Sequence, residues 1–348
     1  MAQLVARLVR NEKVRSSNLL SSTTECTGIE ASRLRSLLCV WGPCGMTDSQ
    51  THQNGGMSRA QKIVDRLVGI AEEDDFAAHA VHVLIGDESA EYHWSDDDRR
   101  DVHSVAKGVC VLAIGIAADD GLLDVDAPVA AYLPDFELGA GVEGVTVRHL
   151  LTMTSGIDLP WSETMMTDWP DLAREFLSRP SRGRLFQYSN ASTYTAMRAL
   201  QSVVGDVPRW LDERLFGPLA IEAPAWERCP NGFILAGGGL HLRTTELARI
   251  GQLIRDEGVW RSQRIVSSRW VQAMHTDWFE REPETGPAYR RYALSGWAGP
   301  QDAWRLHGAY GQLLVFLGDA VVTITANDHF KADRMVERVV TTVEQSGS

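Results

Sequence analysis

The sequence predicts an α/β (α+β) fold, with an antiparallel sheet formed from both chain ends, helices flanking it, and a mostly helical region inserted between the halves. Three observations point there. Strand-like text, "HAVHVLIGDESAEYHW", stands early and returns after about residue 288; helical signals fill the interval; no repeat at a fixed period divides the chain into like modules. The expected division is 57–103 plus 288–348 for the α/β part and 104–287 for the helical part.

Each element has its own warrant. Residues 58–73 place Ile63, Leu67 and Ile70 on one face at helical spacing, with Ser58 as N-cap. "HAVHVLIGDESAEYHW" reads as a hairpin around "GDES", its first strand nearly all apolar. From Ser104 to about Ala118 the chain is apolar almost all round, so this helix should be central and buried, and it is too short to span a bilayer. "VTVRHLLTMTSGI" reads as a strand-like entry into a helix ended by Gly156. "WPDLAREFLSR", "YTAMRALQSVVG", "VPRWLDERLFG" and "TTELARIGQLIRDEG" continue helical. "RRYALSGWAG", "AWRLHGAYGQLLVFLGD" and "AVVTITAND" then return to Val, Leu, Thr and aromatic residues around turns. The closing "KADRMVERVVTTVEQ" puts Met335, Val339, Val340 and Val343 on one side of a helix.

Composition narrows the function. With 348 residues, 44% of them hydrophobic and 23% charged, the chain is an ordinary globular protein with room for a sizeable core. A formal charge of -12 argues against partners that demand clustered Lys and Arg, so neither nucleic acid nor an anionic membrane surface is expected. The first residues differ: Arg7, Arg10, Lys13, Arg15, Arg33 and Arg35 outnumber Glu12, Glu25 and Glu30. This leader lacks the apolar core and cleavage site of a secretory signal. It resembles text read through a transfer-RNA gene, which predicts a start at Met46 or Met57 in place of Met1 and leaves residues 1–56 outside the fold. Cys26, Cys39 and Cys44 fall in it; Cys110 and Cys229 form no metal or disulfide spacing. The default compartment is cytoplasmic.

The stretch "DVHSVAKGVC" carries the chemistry. Residues three apart on a helix share a face, so the Lys107 amine can reach the Ser104 hydroxyl. A serine needs a neighbour to take its proton, and a lysine does so only when burial or a nearby cation depresses its pKa. The apolar run after Lys107 supplies that burial, and the helix N-terminus favours the negative charge that develops in acyl transfer. Alone, Ser-x-x-Lys better describes a serine starting a helix beside a solvated lysine.

Its company is what resembles a known family. "SVAK", "DDGLLDVDAPVAAYLPDF", "VTVRHLLTMTSGI", "FQYSNAS", "GGGLHLRTTELARIGQLIRDEGVW" and "HGAYGQ", in this order over residues 60–345, resemble the serine β-lactamase and penicillin-binding-protein-like family, in its class C β-lactamase, D-amino-acid peptidase and esterase branch. The resemblance implies the β-lactamase/transpeptidase-like fold and an acyl-enzyme. It makes Ser104 the nucleophile, Lys107 its proton acceptor and Tyr188 the second relay residue, with the lysine lowering the tyrosine pKa. Asn190 would bind substrate or hold Lys107. The backbone N–H groups of Ser104 and Ala309 would form the oxyanion hole, and His307 and Gly308 would line the substrate edge. No metal and no organic cofactor is implied.

One departure bears on the substrate. The family's third motif is often Lys-Thr-Gly or His-Thr-Gly, and here the positions read Leu306-His307-Gly308. Without the lysine a carboxylate is recognised less well, and Arg305 should point to the face opposite Leu306. The expectation is a serine hydrolase for a small-molecule ester or amide. β-Lactamase or D-amino-acid peptidase is the alternative, and a catalytically silent ligand-binding relative is the alternative of another class. Of the rest, "AGGGL" at 236–240 suits close backbone packing better than phosphate binding. His79 and His82 fall on opposite strand faces, His103 and His149 read as structural, and "SDDDRRD" as solvated with Asp101 near enough to cap the helix. Trp161, Trp169 and Trp297 could line an acyl pocket or fill the core.

Overall fold

The computed structural model describes residues 57–164, 169–282 and 286–347; the leader lies outside the described residues. Ser58 accepts from the Gln61 N–H at the start of α1 (Arg59–Glu73), which buries Ile63, Val64, Leu67 and Ile70. β1 (Ala78–Ile85) and β2 (Glu88–His93) form the expected hairpin. β3 (Arg100–Asp101) and a 3₁₀ turn at His103–Val105 lead into α2 (Ala106–Asp119), which is buried from Ala106 to Ala117.

The inserted region holds α3 (Val147–Leu151), α4 (Trp161–Thr164), α5 (Leu172–Ser178), α6 (Asn190–Val204), α7 (Val207–Leu211), β4 (His241–Leu242), α8 (Thr244–Arg255), the β5–β6 hairpin (Val259–Trp260 and Gln263–Arg264) and α9 (Ser268–Ala273). Thr146 and His149 cap α3 reciprocally, a structural role for that histidine, as expected. α3 ends at Leu151, well short of Gly156. That glycine has φ 66 and packs on the Gly183 carbonyl with no room for a Cβ, so it serves a turn and not a helix end.

Seven strands of the main sheet are paired in the order β2-β1-β12-β11-β10-β9-β8, and β7 forms its far edge; every pairing is antiparallel. Besides β1 and β2 the sheet contains β7 (Phe279–Glu280), β8 (Arg291–Tyr292), β9 (Trp297–Ala298), β10 (Trp304–Gly308), β11 (Gln312–Leu317) and β12 (Ala320–Ala326), and α10 (Ala332–Gln345) follows. The second half of the sheet therefore begins at Phe279, before the expected boundary at 288. Period-two alternation sorts its faces. Val81, Val83, Leu313, Val315, Val322 and Ile324 pack with α1 and α10, whereas Leu84, Leu306, Leu314, Phe316 and Val321 join the core around α2.

The position of α2 is set by two glycines. A Cβ on Gly108 would run into Leu306, and one on Gly115 into the Trp270 indole, whose Nε1 donates to the Val111 carbonyl at 2.7 Å. The nucleophile helix is thereby seated against β10 on one side and α9 on the other. Among the described residues no helix is long and apolar enough to cross a membrane.

Candidate active site

Three segments far apart in sequence converge on the Lys107 amine. Its side chain is 1% exposed, and Nζ donates to Ser104 Oγ at 2.9 Å, to Asn190 Oδ1 at 2.7 Å and to the Gly237 carbonyl at 2.7 Å. Ser104 sits in the 3₁₀ turn one helical turn earlier, so the pairing predicted from spacing is present. Asn190 is the first residue of α6, placed by Ser189, whose Oγ caps the helix by accepting from Ala191 N–H. Asn190 is thus spent on holding Lys107, the second of its two expected roles.

Gly237 was invisible as a site residue. Its run, "AGGGL", does serve close packing: a Cβ there would lie 2.7 Å from Asn190 Oδ1. Glycine lets the backbone come near enough for its carbonyl to receive the ammonium.

The electrostatics separate lysine from tyrosine. Burial pulls the Lys107 pKa down to about 7, against opposing contributions from Cys110 and Asp101. Burial pushes Tyr188 up to about 12, with its interaction with the Ser104 side chain acting the other way. This corrects the expectation that the lysine lowers the tyrosine pKa. The Lys107 Nζ lies over the Tyr188 ring, 5.0 Å from its centroid, a cation–π distance.

Tyr188 fronts an aromatic cluster. Its ring centroid is 5.6 Å from Trp297 and 5.9 Å from Tyr292, and Trp297 in turn meets Tyr289 at 5.1 Å. Arg281 lies over the Phe186 ring at 4.6 Å. Of the three tryptophans singled out, Trp297 belongs to this wall, and Trp161 is joined to it only by its backbone N–H, which donates to the Tyr188 carbonyl at 3.1 Å. Trp169 packs on the main core instead.

β10 closes the site from the other side. A Cβ on Gly308 would stand 2.5 Å from the Val102 carbonyl and 3.2 Å from the Ser104 amide nitrogen, so glycine lets the strand end meet the nucleophile turn and delivers Ala309 beside it. Leu306 is buried against Gly108. Arg305 faces the opposite side, as strand alternation requires: its guanidinium, 1% exposed, donates to Ala298 O at 2.9 Å and Ala288 O at 2.8 Å. His307 shares the Arg305 face. Its Nδ1 accepts from Arg305 Nε at 3.2 Å, and burial, with the Arg305 charge, drops its pKa to about 3. The ring is therefore neutral with its proton on Nε2, and its Nδ1 contact is structural.

The "SDDDRRD" stretch is solvated only in part: Ser95, Asp96 and Asp98 are exposed, and the rest is half-buried. Asp97 accepts from Thr244 N–H at 2.8 Å and Thr245 Oγ1 at 2.7 Å, at the start of α8, and Arg99 forms a forked pair with the buried Glu246 at 2.6 and 2.9 Å. Asp101 does not cap α2; its Oδ1 accepts from His103 N–H at 2.7 Å and Gly239 N–H at 2.9 Å. Among the described residues no group of His, Cys, Asp and Glu is arranged to hold a metal.

A half-buried Ser104 thus stands against a buried Lys107 at the start of α2, beside the glycine-ended strand β10, and comparison with known proteins gives the arrangement a family. The Beta-lactamase family model matches residues 61–338, and the chain belongs to this family. It is 29% identical over 255 residues to the 6-aminohexanoate-dimer hydrolase of Paenarthrobacter ureafaciens, covering 62% of this chain and 62% of that relative's length. Among solved structures it resembles a class C beta-lactamase (TM-score 0.64, 15% identity, 85% of this chain and 99% of that one). It also resembles an octameric penicillin-binding protein homologue from Pyrococcus abyssi (TM-score 0.65, 18% identity, 82% and 77%). At these identities the structural likeness establishes the fold.

Proposed function

We propose that this member of the family is a serine hydrolase that cleaves a small-molecule ester or amide through an acyl-enzyme on Ser104. The observation that carries the reading is the set of partners around Lys107. A neutral amine has two N–H bonds and one lone pair. The Gly237 carbonyl can only accept, and Asn190 presents its Oδ1. Ser104 is then the one partner able to give Lys107 a proton, along the same 2.9 Å contact.

Acylation follows with atoms balanced. Ser104 Oγ bonds to the substrate carbonyl carbon as its proton passes to Lys107 Nζ, and the N–H groups of Ser104 and Ala309 receive the oxyanion. Tyr188, protonated at every working pH, gives its hydroxyl proton to the leaving alcohol or amine as that bond breaks and takes one back from the deacylating water, while Lys107 returns its proton to Ser104 Oγ along the 2.9 Å contact. Water then cleaves the acyl-enzyme to the free acid.

The substrate reading rests on β10. Leu306 is turned onto Gly108, and the neighbouring Arg305 is spent on two backbone carbonyls, so this strand brings no cation to the site. That favours a substrate less anionic than a β-lactam or peptidoglycan stem, and the relative's name makes a linear amide the first candidate. Intact mass after fluorophosphonate treatment tests the nucleophile. One adduct on the parent and none on Ser104→Ala supports the reading; a folded parent without adduct overturns it in favour of a ligand-binding relative. Rates on p-nitrophenyl esters, a linear ω-amino amide and a chromogenic cephalosporin then rank the substrates, with a dominant cephalosporin rate refuting the argument from β10.

A further inference from the structure

Resting on that reading, we propose that Asp101 is a positioning residue for acyl transfer, clamping the nucleophile turn and the glycine-rich bend before β4 together around the Ser104–Lys107 pair. Its carboxylate stands at the end of β3, and a single oxygen, Oδ1, accepts from His103 N–H at 2.7 Å and from Gly239 N–H at 2.9 Å. The other oxygen lies 3.1 Å from His103 Nδ1.

Both donors sit where displacement matters. His103 immediately precedes Ser104 and holds φ at 48, a left-handed conformation that a non-glycine residue keeps only when its surroundings enforce it. Gly239 lies two residues beyond Gly237, whose carbonyl takes one Lys107 N–H. Between them, Gly238 packs on the His103 backbone at van der Waals distance, a Cβ there lying 3.6 Å from the His103 Cα. Val102 N–H donates to the Leu240 carbonyl at 2.9 Å, extending the seam. One carboxylate thus fixes the backbone at both ends of the proton-transfer path.

Asp101 also acts through its charge. It opposes the burial that lowers the Lys107 pKa, as Cys110 does. Its own pKa lies below the usual carboxylate value: burial would raise it, but the hydrogen bonds and charge of His103 outweigh that. Geometry and charge can be separated, because asparagine keeps an oxygen acceptor and loses the charge, whereas alanine loses both.

The experiment is fluorophosphonate labelling of the full chain across pH, resolved into the rate constant at saturation and the half-saturating probe concentration. Asp101→Ala is expected to lower the saturated rate about 10²-fold, the scale of a small misplacement of reacting groups, with the half-saturating concentration changed less than about threefold. Asp101→Asn is expected to keep the plateau rate within about threefold and to move the ascending pH limb to lower pH. A merely structural residue would change the folded fraction and leave that limb in place. Asp101→Ala labelling within about threefold of the parent, or an Asp101→Asn limb that does not move, overturns the inference; if Asp101→Ala does not fold, the Asp101→Asn limb decides alone. A parent that takes no label removes the hydrolase reading and the clamp with it, whereas a labelled parent matched by both variants removes only the clamp.

Discussion

If Lys107 is the proton acceptor, acylation must follow its neutral fraction. With the pKa at about 7, that fraction is roughly 9% at pH 6 and roughly 91% at pH 8, so the rate should rise about tenfold across this interval and flatten above it. A lysine at the ordinary 10.5 would be only about 0.3% neutral at pH 8, and the rate would still be climbing tenfold per unit. No descending limb is expected below pH 10, because Tyr188 stays protonated up to about 12. The assay is pre-steady-state release of p-nitrophenol from a short-chain ester, or labelling rate where turnover is slow, with Lys107→Arg as control: its guanidinium holds its proton and should abolish the fast phase.

The same ionisation has a signature in stability, and its sign is opposite to intuition for a basic group. Between about pH 7 and 10.5 the unfolded chain carries the lysine proton and the folded chain does not, so stability rises with pH through this window and levels above it. Lys107→Met should remove that part of the slope in urea midpoints measured from pH 7 to 10. A labelling limb centred near 10, or an unchanged slope in the methionine variant, would refute the assignment of Lys107 as a buried, neutral base.

Three further outcomes are expected. Tyr188→Phe should keep the acylation limb near pH 7 while slowing amide turnover by about 10²–10⁴, the usual loss on removing a general acid; equal amide turnover would exclude the phenol from proton delivery. Gly108→Ala should destabilise the fold by about 1–3 kcal/mol by driving a methyl group into Leu306, and Leu306→Ala should recover part of it in a double-mutant cycle; strict additivity in urea midpoints would mean α2 and β10 do not touch there. His307 is held at about 3 in the fold against 6.5 unfolded, so the unfolded chain gains a proton first and stability falls as pH drops from 6.5 toward 3. His307→Asn, which keeps an acceptor for Arg305, should flatten that fall by up to about 1.4 kcal/mol per pH unit, and an undiminished fall would refute the burial of a neutral ring.

What could be read from the sequence follows from the range of each interaction. The Ser58 cap, the Val-, Leu- and Thr-rich text of β11 and β12 and the apolar run of α2 are local, and all three are present. The Asn190 and Gly237 partners of Lys107 lie 83 and 130 residues away, and no local pattern brings them to one nitrogen. "SDDDRRD" misled for the same reason: a charged run looks solvated until the fold supplies the Thr244 and Gly239 amides that its Asp97 and Asp101 receive. Tyr188 misled differently, since proximity to a lysine lowers a phenol's pKa only if the ammonium is charged and near the oxygen. Here the amine faces the ring, and burial decides.

The most informative local feature was therefore the absence of a polar face on α2. On an amphipathic helix Lys107 would occupy the wet side, keep its proton and leave Ser104 an ordinary hydroxyl, whatever the spacing between them. With Ala106 through Ala117 all buried, the lysine has no route to water, and what compensates it is a set of three oxygens fixed by three different elements. A Ser-x-x-Lys pair becomes chemistry when the helix behind it is apolar all round and a glycine-rich bend can come close enough to meet the amine; here Gly237, where a Cβ would strike Asn190, allows that approach, and the proposed Asp101 clamp would hold it closed.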